Sequence, residues 1–98
     1  MPTTALLDLT IKPEALSGAH AAISTVLEAT RAFEGNLGVD VVVDVNDPAH
    51  ILLIEHWASI EADEAYRAWR ETDEGKSDLG SLLAAAPTLT IFTDAPGV

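Results

Sequence analysis

Four segments of the chain alternate between apolar and polar positions with a period of two, which is typical of β-strands that bury one face. The predicted strands are residues 4–11, 37–45, 51–57 and 88–93. The third is apolar on both faces as far as Glu55, so we expect it in the centre of the sheet. Residues 46–49 (NDPA) have the composition of a hairpin turn that connects the second strand to the third.

Two longer segments between the strands carry apolar residues at helical spacing. The first, residues 13–32, begins at Pro13, because proline suits the first turn of a helix but cannot continue a strand ladder. The second, residues 59–72, begins at Ser59, a favoured N-cap residue. Its predicted inner face consists of Ala62, Ala65, Tyr66 and Trp69, and its predicted outer face of Asp63, Glu64, Arg67, Arg70 and Glu71. One or two helical turns are also expected within residues 81–86, before Pro87.

The order of these elements is β-α-β-β-α-(short α)-β, which is the split βαβ or ferredoxin-like arrangement of an α+β fold with an antiparallel sheet. A length of 98 residues predicts a single domain, residues 1–98. The two helices would cover one face of the sheet. The other face is apolar enough that the sheet of a second subunit is its expected cover, which predicts a homodimer.

The chain is strongly acidic, with 16 acidic and 5 basic residues and a formal net charge of −11. Since the cations form no run, neither nucleic acid nor an anionic membrane is an expected partner. The absence of cysteine excludes disulfides, thiolate metal sites and cysteine nucleophiles. No apolar run reaches the roughly 20 residues of a membrane span, and no signal peptide is visible. We therefore expect a soluble cytoplasmic protein.

The side chains best suited to a ligand site are concentrated where the third strand runs into the second helix. They are Glu55, His56, Trp57, Tyr66 and Trp69. Because side chains alternate along a strand, Glu55 and Trp57 share one face of the sheet and His56 points to the other. His20 interrupts the apolar stripe of the first helix and should face the sheet, either as a histidine bonded to backbone or as a pocket-lining donor or base.

The sequence resembles the antibiotic-biosynthesis-monooxygenase-like family of dimeric α/β-barrel proteins. Three stretches carry the resemblance, residues 9–14 (LTIKPE), 33–39 (FEGNLGV) and 52–62 (LLIEHWASIEA). The last is the most specific, because it matches the family pattern of an apolar strand, a glutamate, any residue, a tryptophan and a serine- and glutamate-rich helix start. The resemblance spans almost the whole chain. It is specific for fold and dimerisation and less so for activity.

The resemblance implies that two sheets pack face to face into a barrel and that each subunit holds a pocket between its sheet and its helices. The family's enzymes oxygenate polycyclic aromatic phenols or quinols with molecular oxygen and use no metal or flavin, so no cofactor is expected. Such a protein must bind an apolar ring, help to deprotonate a hydroxyl and exclude water. The candidate catalytic residues are His20, Glu55, Trp57 and Tyr66, and the candidate substrate-binding residues are His56, Trp69 and Arg70.

Some relatives instead bind and degrade haem through an asparagine, a tryptophan and a histidine. The tryptophan corresponds to Trp57 in this sequence. Tyr66 stands near the position of the histidine, however, and the first strand contains no asparagine. These departures argue against haem degradation.

The candidate residues also have structural interpretations that the sequence leaves open. Trp57 can pack in the core or at a dimer interface, Tyr66 and Trp69 can pack in the core, and Glu55 can pair with an arginine. Two further functions therefore stay open beside the cofactor-free monooxygenase. One is a non-catalytic or stress-related dimer that binds small apolar or aromatic molecules, and the other is a purely structural interaction module.

A metal site is not expected from the sequence. His50 and His56 share a strand face but lie roughly 20 Å apart. The sequence places no carboxylate beside either histidine at the spacing of metal ligands. No glycine-rich phosphate loop and no serine–histidine–acid order are present.

Overall fold

The computed structural model describes residues 1–98 and contains four strands and two helices. The strands are β1 (Thr3–Thr10), β2 (Asn36–Asp44), β3 (Asp47–Trp57) and β4 (Thr88–Thr93), and the helices are α1 (Leu16–Ala32) and α2 (Ile60–Arg70). Short 3-10 turns at Pro13–Ala15 and Leu79–Leu82 precede α1 and β4. All strands pair antiparallel in the order β2-β3-β1-β4. The predicted ferredoxin-like α+β fold is therefore confirmed.

The β2–β3 hairpin is tighter than the sequence predicts. β3 begins at Asp47 rather than at residue 51, and the turn consists of Val45 and Asn46 alone. The carboxylate of Asp44 accepts a hydrogen bond from the amide of Asn46 at 2.8 Å, which closes the turn locally. β3 is therefore four residues longer at its N-terminal end than the sequence predicts.

The main core lies between α1 and the helix-facing side of the sheet. The stripe of α1 that is buried there, Ala19, Ile23, Leu27 and Thr30, recurs every three or four residues, as expected for one face of a helix. The apolar core cluster consists of Leu9, Ile11, Ala19, Ile23, Leu27, Val39, Ile51, Leu53 and Leu83. Since β3 pairs with both β1 and β2, its predicted central position is confirmed.

α2 approaches the sheet closely where it begins. The hydroxyl of Ser59 accepts a hydrogen bond from the amide of Ala62 at 3.2 Å, so Ser59 caps the helix as predicted. Gly35 has a φ of +90°, and a Cβ atom at this position would lie 2.5 Å from the Cβ of Ala62. Glycine therefore allows both the left-handed backbone and the short distance between the β2 entry and α2.

The predicted outer face of α2 is wrong in part. Asp63 is 3% exposed, and Arg67 and Arg70 are half-buried. The long arginine side chains extend along the helix towards the sheet and towards α1, where acceptors are available, instead of pointing into solvent. Helical spacing alone cannot distinguish these positions from exposed ones.

The second side of the sheet carries no helix. Alternation along the four strands places on it Thr4, Leu6, Asp8, Thr10, Asp40, Val42, Asp44, His50, Leu52, Ile54, His56, Thr88, Thr90 and Phe92. We call this surface the open face. The Cα trace extends only 19 Å along its shortest axis, which is the depth of one sheet and one layer of helices.

Candidate functional site

Glu55 is the most deeply buried charged side chain, at 1% exposure, and lies on the helix-facing side of β3. Its Oε1 accepts hydrogen bonds from Nη2 of Arg67 at 2.5 Å and from the indole Nε1 of Trp57 at 3.2 Å. The same Arg67 nitrogen donates to Asp63 at 3.0 Å. The Arg67 guanidinium thus donates hydrogen bonds to two buried carboxylates. Glu55 is therefore paired with an arginine, which is one of the structural interpretations left open by the sequence.

Trp57 lies in an aromatic cluster under α2. Its ring is 0% exposed, and its centroid lies 4.9 Å from that of Tyr66 and 6.3 Å from that of Phe33. Trp69 completes the cluster, 5.5 Å from Phe33. Because Trp57 is buried beneath a helix, it belongs to the core of the chain and not to the open face. Phe33, which directly follows α1, contacts all three other rings and was not among the candidate residues predicted from the sequence.

Tyr66 and Arg70 form a polar network at the edge of the aromatic cluster. The Tyr66 hydroxyl lies 2.7 Å from Oγ1 of Thr30 and accepts a hydrogen bond from Nε of Arg70, also at 2.7 Å. Arg70 further donates to Thr30 Oγ1, to the Val26 carbonyl and to the Gly75 carbonyl, each at 3.0 Å. Four of the five N–H groups of the guanidinium are therefore engaged within the chain, and the second N–H of Nη1 has no partner there.

A groove of about 450 Å³ runs between α1, the end of α2 and the segment that follows α2. It is lined by Ala22, Thr25, Val26 and Ala29 of α1, Trp69 and Arg70 of α2, and Glu74, Lys76, Ser77, Asp78, Leu79, Ser81 and Leu82. We call it the interhelical groove. Its volume and mixed apolar and polar lining are typical of small-molecule sites.

The wall of the interhelical groove depends on a buried glycine. Gly75 packs against Trp69 so closely that a Cβ atom would lie 1.9 Å from the Trp69 carbonyl oxygen and 2.9 Å from the ring. Together with the Arg70 bond to its carbonyl, this contact folds the chain after α2 back over the helix end. The segment from Glu74 to Leu82 therefore forms one side of the groove, and only its last two residues fall within the helical turns expected at residues 81–86.

His20 lies outside the interhelical groove. Its side chain is exposed and is not packed into the core between α1 and the sheet, although it borders a cavity there. It is adjacent to the buried position Ala19 and therefore turned about 100° away from it around the helix. His20 lines a smaller cavity of about 300 Å³ between α1 and the edge strand β2, together with Arg31, Val41 and Val43 among others.

His56 lies on the open face, as alternation predicts, with its Nε2 3.1 Å from a carboxylate oxygen of Asp40. His50 lies further along the same face, with Nδ1 2.8 Å from Asp44 and Nε2 2.9 Å from Asp8. The hydrogen bond to Asp44, followed by that to Asp8, raises the pKa of His50. The same contact with His50 lowers the pKa of Asp44. Neighbouring strands thus supply carboxylates that the local sequence around each histidine does not reveal.

The seven candidate residues are thus divided among four places. Trp69 and Arg70 line the interhelical groove, and Tyr66 stands behind Arg70. Glu55 and Trp57 are packed under α2, and neither they nor Tyr66 line the interhelical groove or the cavity beside His20. No group of three or more histidine and carboxylate side chains is arranged to hold a metal ion, and neither helix is long and apolar enough to cross a membrane.

This fold, with its groove between two helices on one side of a four-stranded sheet, places the chain among small α+β proteins with a single helical layer. Residues 2–77 match the sequence model of the family described as antibiotic biosynthesis monooxygenase. Since the match covers more than half of the chain, the protein belongs to the antibiotic biosynthesis monooxygenase family. No curated protein matches the chain significantly.

Several solved structures are similar to this one. Rv0793 from Mycobacterium tuberculosis superposes with a TM-score of 0.79 at 20% identity, over 97% of this chain and 96% of that one. A conserved protein from Methanosarcina mazei has a TM-score of 0.82 at 16% identity, over 97% and 94%. SnoaB, a cofactor-independent oxygenase from Streptomyces nogalater, has a TM-score of 0.80 at 13% identity, over 95% and 92%. At these identities the likeness establishes the fold alone.

Proposed function

We propose that the protein is a cofactor-independent monooxygenase that acts on a small aromatic, phenolic or quinol-type molecule bound in the interhelical groove. The observation that carries the proposal is the groove itself, in a chain that belongs to a monooxygenase family. The groove has room for a compound of two or three fused rings. Trp69 offers it an aromatic surface, and the remaining donor of Arg70 can bind a phenolate oxygen.

The proposed reaction requires few catalytic groups from the protein. An anthrone-type substrate reacts with molecular oxygen so that its CH₂ group becomes a carbonyl, one oxygen atom enters the product and the other leaves as water. The ring supplies all the electrons, so no external reductant is needed. The enolic hydroxyl must lose a proton first, and Glu74 and Asp78 are the carboxylates that line the groove and can accept it. Of the bases considered from the sequence, His20 borders the cavity between α1 and β2, His56 lies on the open face, and Glu55 is buried under α2.

Oxygen consumption by aerated hydroquinones and anthrones tests the proposal. We expect uptake above the spontaneous rate with the wild-type protein and a loss of that excess in Ala22→Phe, because the new ring fills part of the groove. Ala21→Phe is the matched control, since Ala21 is the neighbouring residue of α1, exposed and outside the groove. An uptake equal to the spontaneous rate, or an equal loss in both variants, contradicts catalysis in the groove.

A second function, binding without turnover, is favoured by one feature of the groove. No histidine lines it, and four of the five Arg70 donors are already used within the chain. Such a site holds a ring but has little means to drive proton transfer. Thermal stabilisation by an aromatic compound that is recovered chemically unchanged, and loss of that stabilisation in Ala22→Phe, would support binding alone.

We further propose that the protein is a homodimer in which two open faces pack together. Four strands about 4.8 Å apart, each contributing about seven residues at about 3.4 Å, give a face of roughly 450 Å² in projection. This projection is a little over half of the roughly 800 Å² per partner of a stable interface, and the relief of the side chains adds accessible area to it. Light scattering coupled to size exclusion measures the mass directly, and a 10.3 kDa species at all concentrations contradicts the dimer.

A further inference from the structure

The open face carries an unusual arrangement in which one histidine stands between two carboxylates. Both ring nitrogens of His50 are within 2.9 Å of a carboxylate oxygen, from Asp44 of β2 on one side and Asp8 of β1 on the other. A carboxylate can only accept hydrogen bonds, and a neutral imidazole has one donor nitrogen and one acceptor nitrogen. Only the imidazolium, which donates from both nitrogens, satisfies both contacts.

We propose that two copies of this chain associate more tightly through their open faces while His50 is protonated, so that the dimer Kd depends on pH. The inference rests on the proposed homodimer and concerns its regulation. Asp8, His50 and Asp44 carry a net charge of −1 per subunit when His50 is charged and −2 when it is neutral. Packing a second sheet over them removes the water that screens this charge in the free subunit.

The other titratable groups of the open face act in the same direction. His56 of β3 faces Asp40 of β2 at 3.1 Å, and β4 contributes no charged group to this surface. With both histidines charged, the open face of one subunit carries −1, from three aspartates and two imidazolium groups. With both neutral it carries −3, and the partner's identical face doubles the charge that must be buried.

The pH range follows from the two perturbed groups. Both shifts arise within one subunit, so they set the charge state that each subunit brings to association. The raised pKa of His50 keeps the imidazolium charged above the ordinary histidine value, and the charge is lost as pH rises through the raised pKa. The lowered pKa of Asp44 keeps its carboxylate ionised below the ordinary aspartate value. Association should therefore be strongest from mildly acidic to neutral pH and weaken in alkaline solution.

Sedimentation equilibrium of the full chain at constant ionic strength, between pH 6.5 and 9.5, tests this inference. We expect the dimer Kd to rise at least about tenfold over this range, because each proton lost on dissociation changes Kd by up to about tenfold per pH unit. In His50→Gln the dependence should become clearly weaker, because only the charge of His56 still changes on the open face. His20→Gln is the matched control, since its exposed histidine on α1 changes the overall charge without touching the open face.

The possible results distinguish the pH dependence of the dimer from the existence of the dimer. A monomer at every pH and concentration contradicts the homodimer and the inference with it. A dimer whose Kd is constant with pH, or a His50→Gln dimer that keeps the wild-type dependence, overturns the inference alone. Because His50→Gln could also disturb the sheet, nitrogen-15 spectra of the wild-type imidazoles provide a second test. Two protonated nitrogens on His50 at pH 7 are expected, and a neutral ring there refutes the charged state.

Discussion

Replacement of Arg67 by methionine should destabilise the protein by far more than the loss of an ordinary surface charge. The change removes the only cation bonded to Glu55 and Asp63, which are 1% and 3% exposed. Breaking a fully buried ion pair costs roughly 3–5 kcal/mol. Since the Arg67 side chain keeps 25% exposure, solvent moderates the loss, and we expect about 2–3 kcal/mol. For a chain of this length, that corresponds to a fall in Tm of about 10–20 °C.

Denaturant unfolding of the single and double variants measures the effect. Lys76→Met is the control, because Lys76 forms an exposed pair with Asp73 whose loss should cost less than about 0.5 kcal/mol. Adding Glu55→Gln to Arg67→Met should recover about 1 kcal/mol or more, since it removes one of the two uncompensated charges. If Arg67→Met is no more costly than Lys76→Met, or if the two changes are simply additive, the buried ionic cluster does not stabilise the fold in this way.

Three further substitutions test other contacts. Gly75→Ala should destabilise the protein in chemical unfolding and lower ligand affinity in the groove, because the new Cβ would collide with the Trp69 carbonyl. Gly80→Ala is the control and should be near neutral in the same measurement, because no atom lies within 4 Å of the added Cβ. Tyr66→Phe should lower the free energy of unfolding by about 1–3 kcal/mol, measured by calorimetry, because it removes the buried hydroxyl that bonds to Thr30 and Arg70. Ser59→Ala should cost about 1 kcal/mol in the same measurement through loss of the α2 cap, and an unchanged Tm would contradict that role.

Much of the fold follows from local sequence. The limits of β4 and the opposite orientations of Trp57 and His56 come directly from alternation, because a strand turns each side chain to the other face. The burial of Asp63 does not follow, since it depends on where Arg67 finds its partners. Sequence spacing treats that position as one more exposed acid on a helix.

The interactions of the candidate site were harder to predict because they join residues distant in the chain. His50 meets Asp8 across 42 positions, and only the register of β1 against β3 brings them together. Likewise, Arg70 reaches Thr30 and Val26 on α1, about 40 residues away. The groove itself arises from how residues 71–82 fold back over α2, a tertiary contact for which the glycine at position 75 is the single local signal.

The different surroundings of the two tryptophans give the protein two optical reporters in one spectrum. Trp57 is completely shielded and packed against Tyr66 with the two rings tilted, so its emission should be blue-shifted and insensitive to acrylamide until the chain unfolds. Trp69 borders the interhelical groove, so quenchers and ligands should reach its emission first. Since the sequence contains no other tryptophan, occupancy of the groove and unfolding of the core can be followed separately without any label.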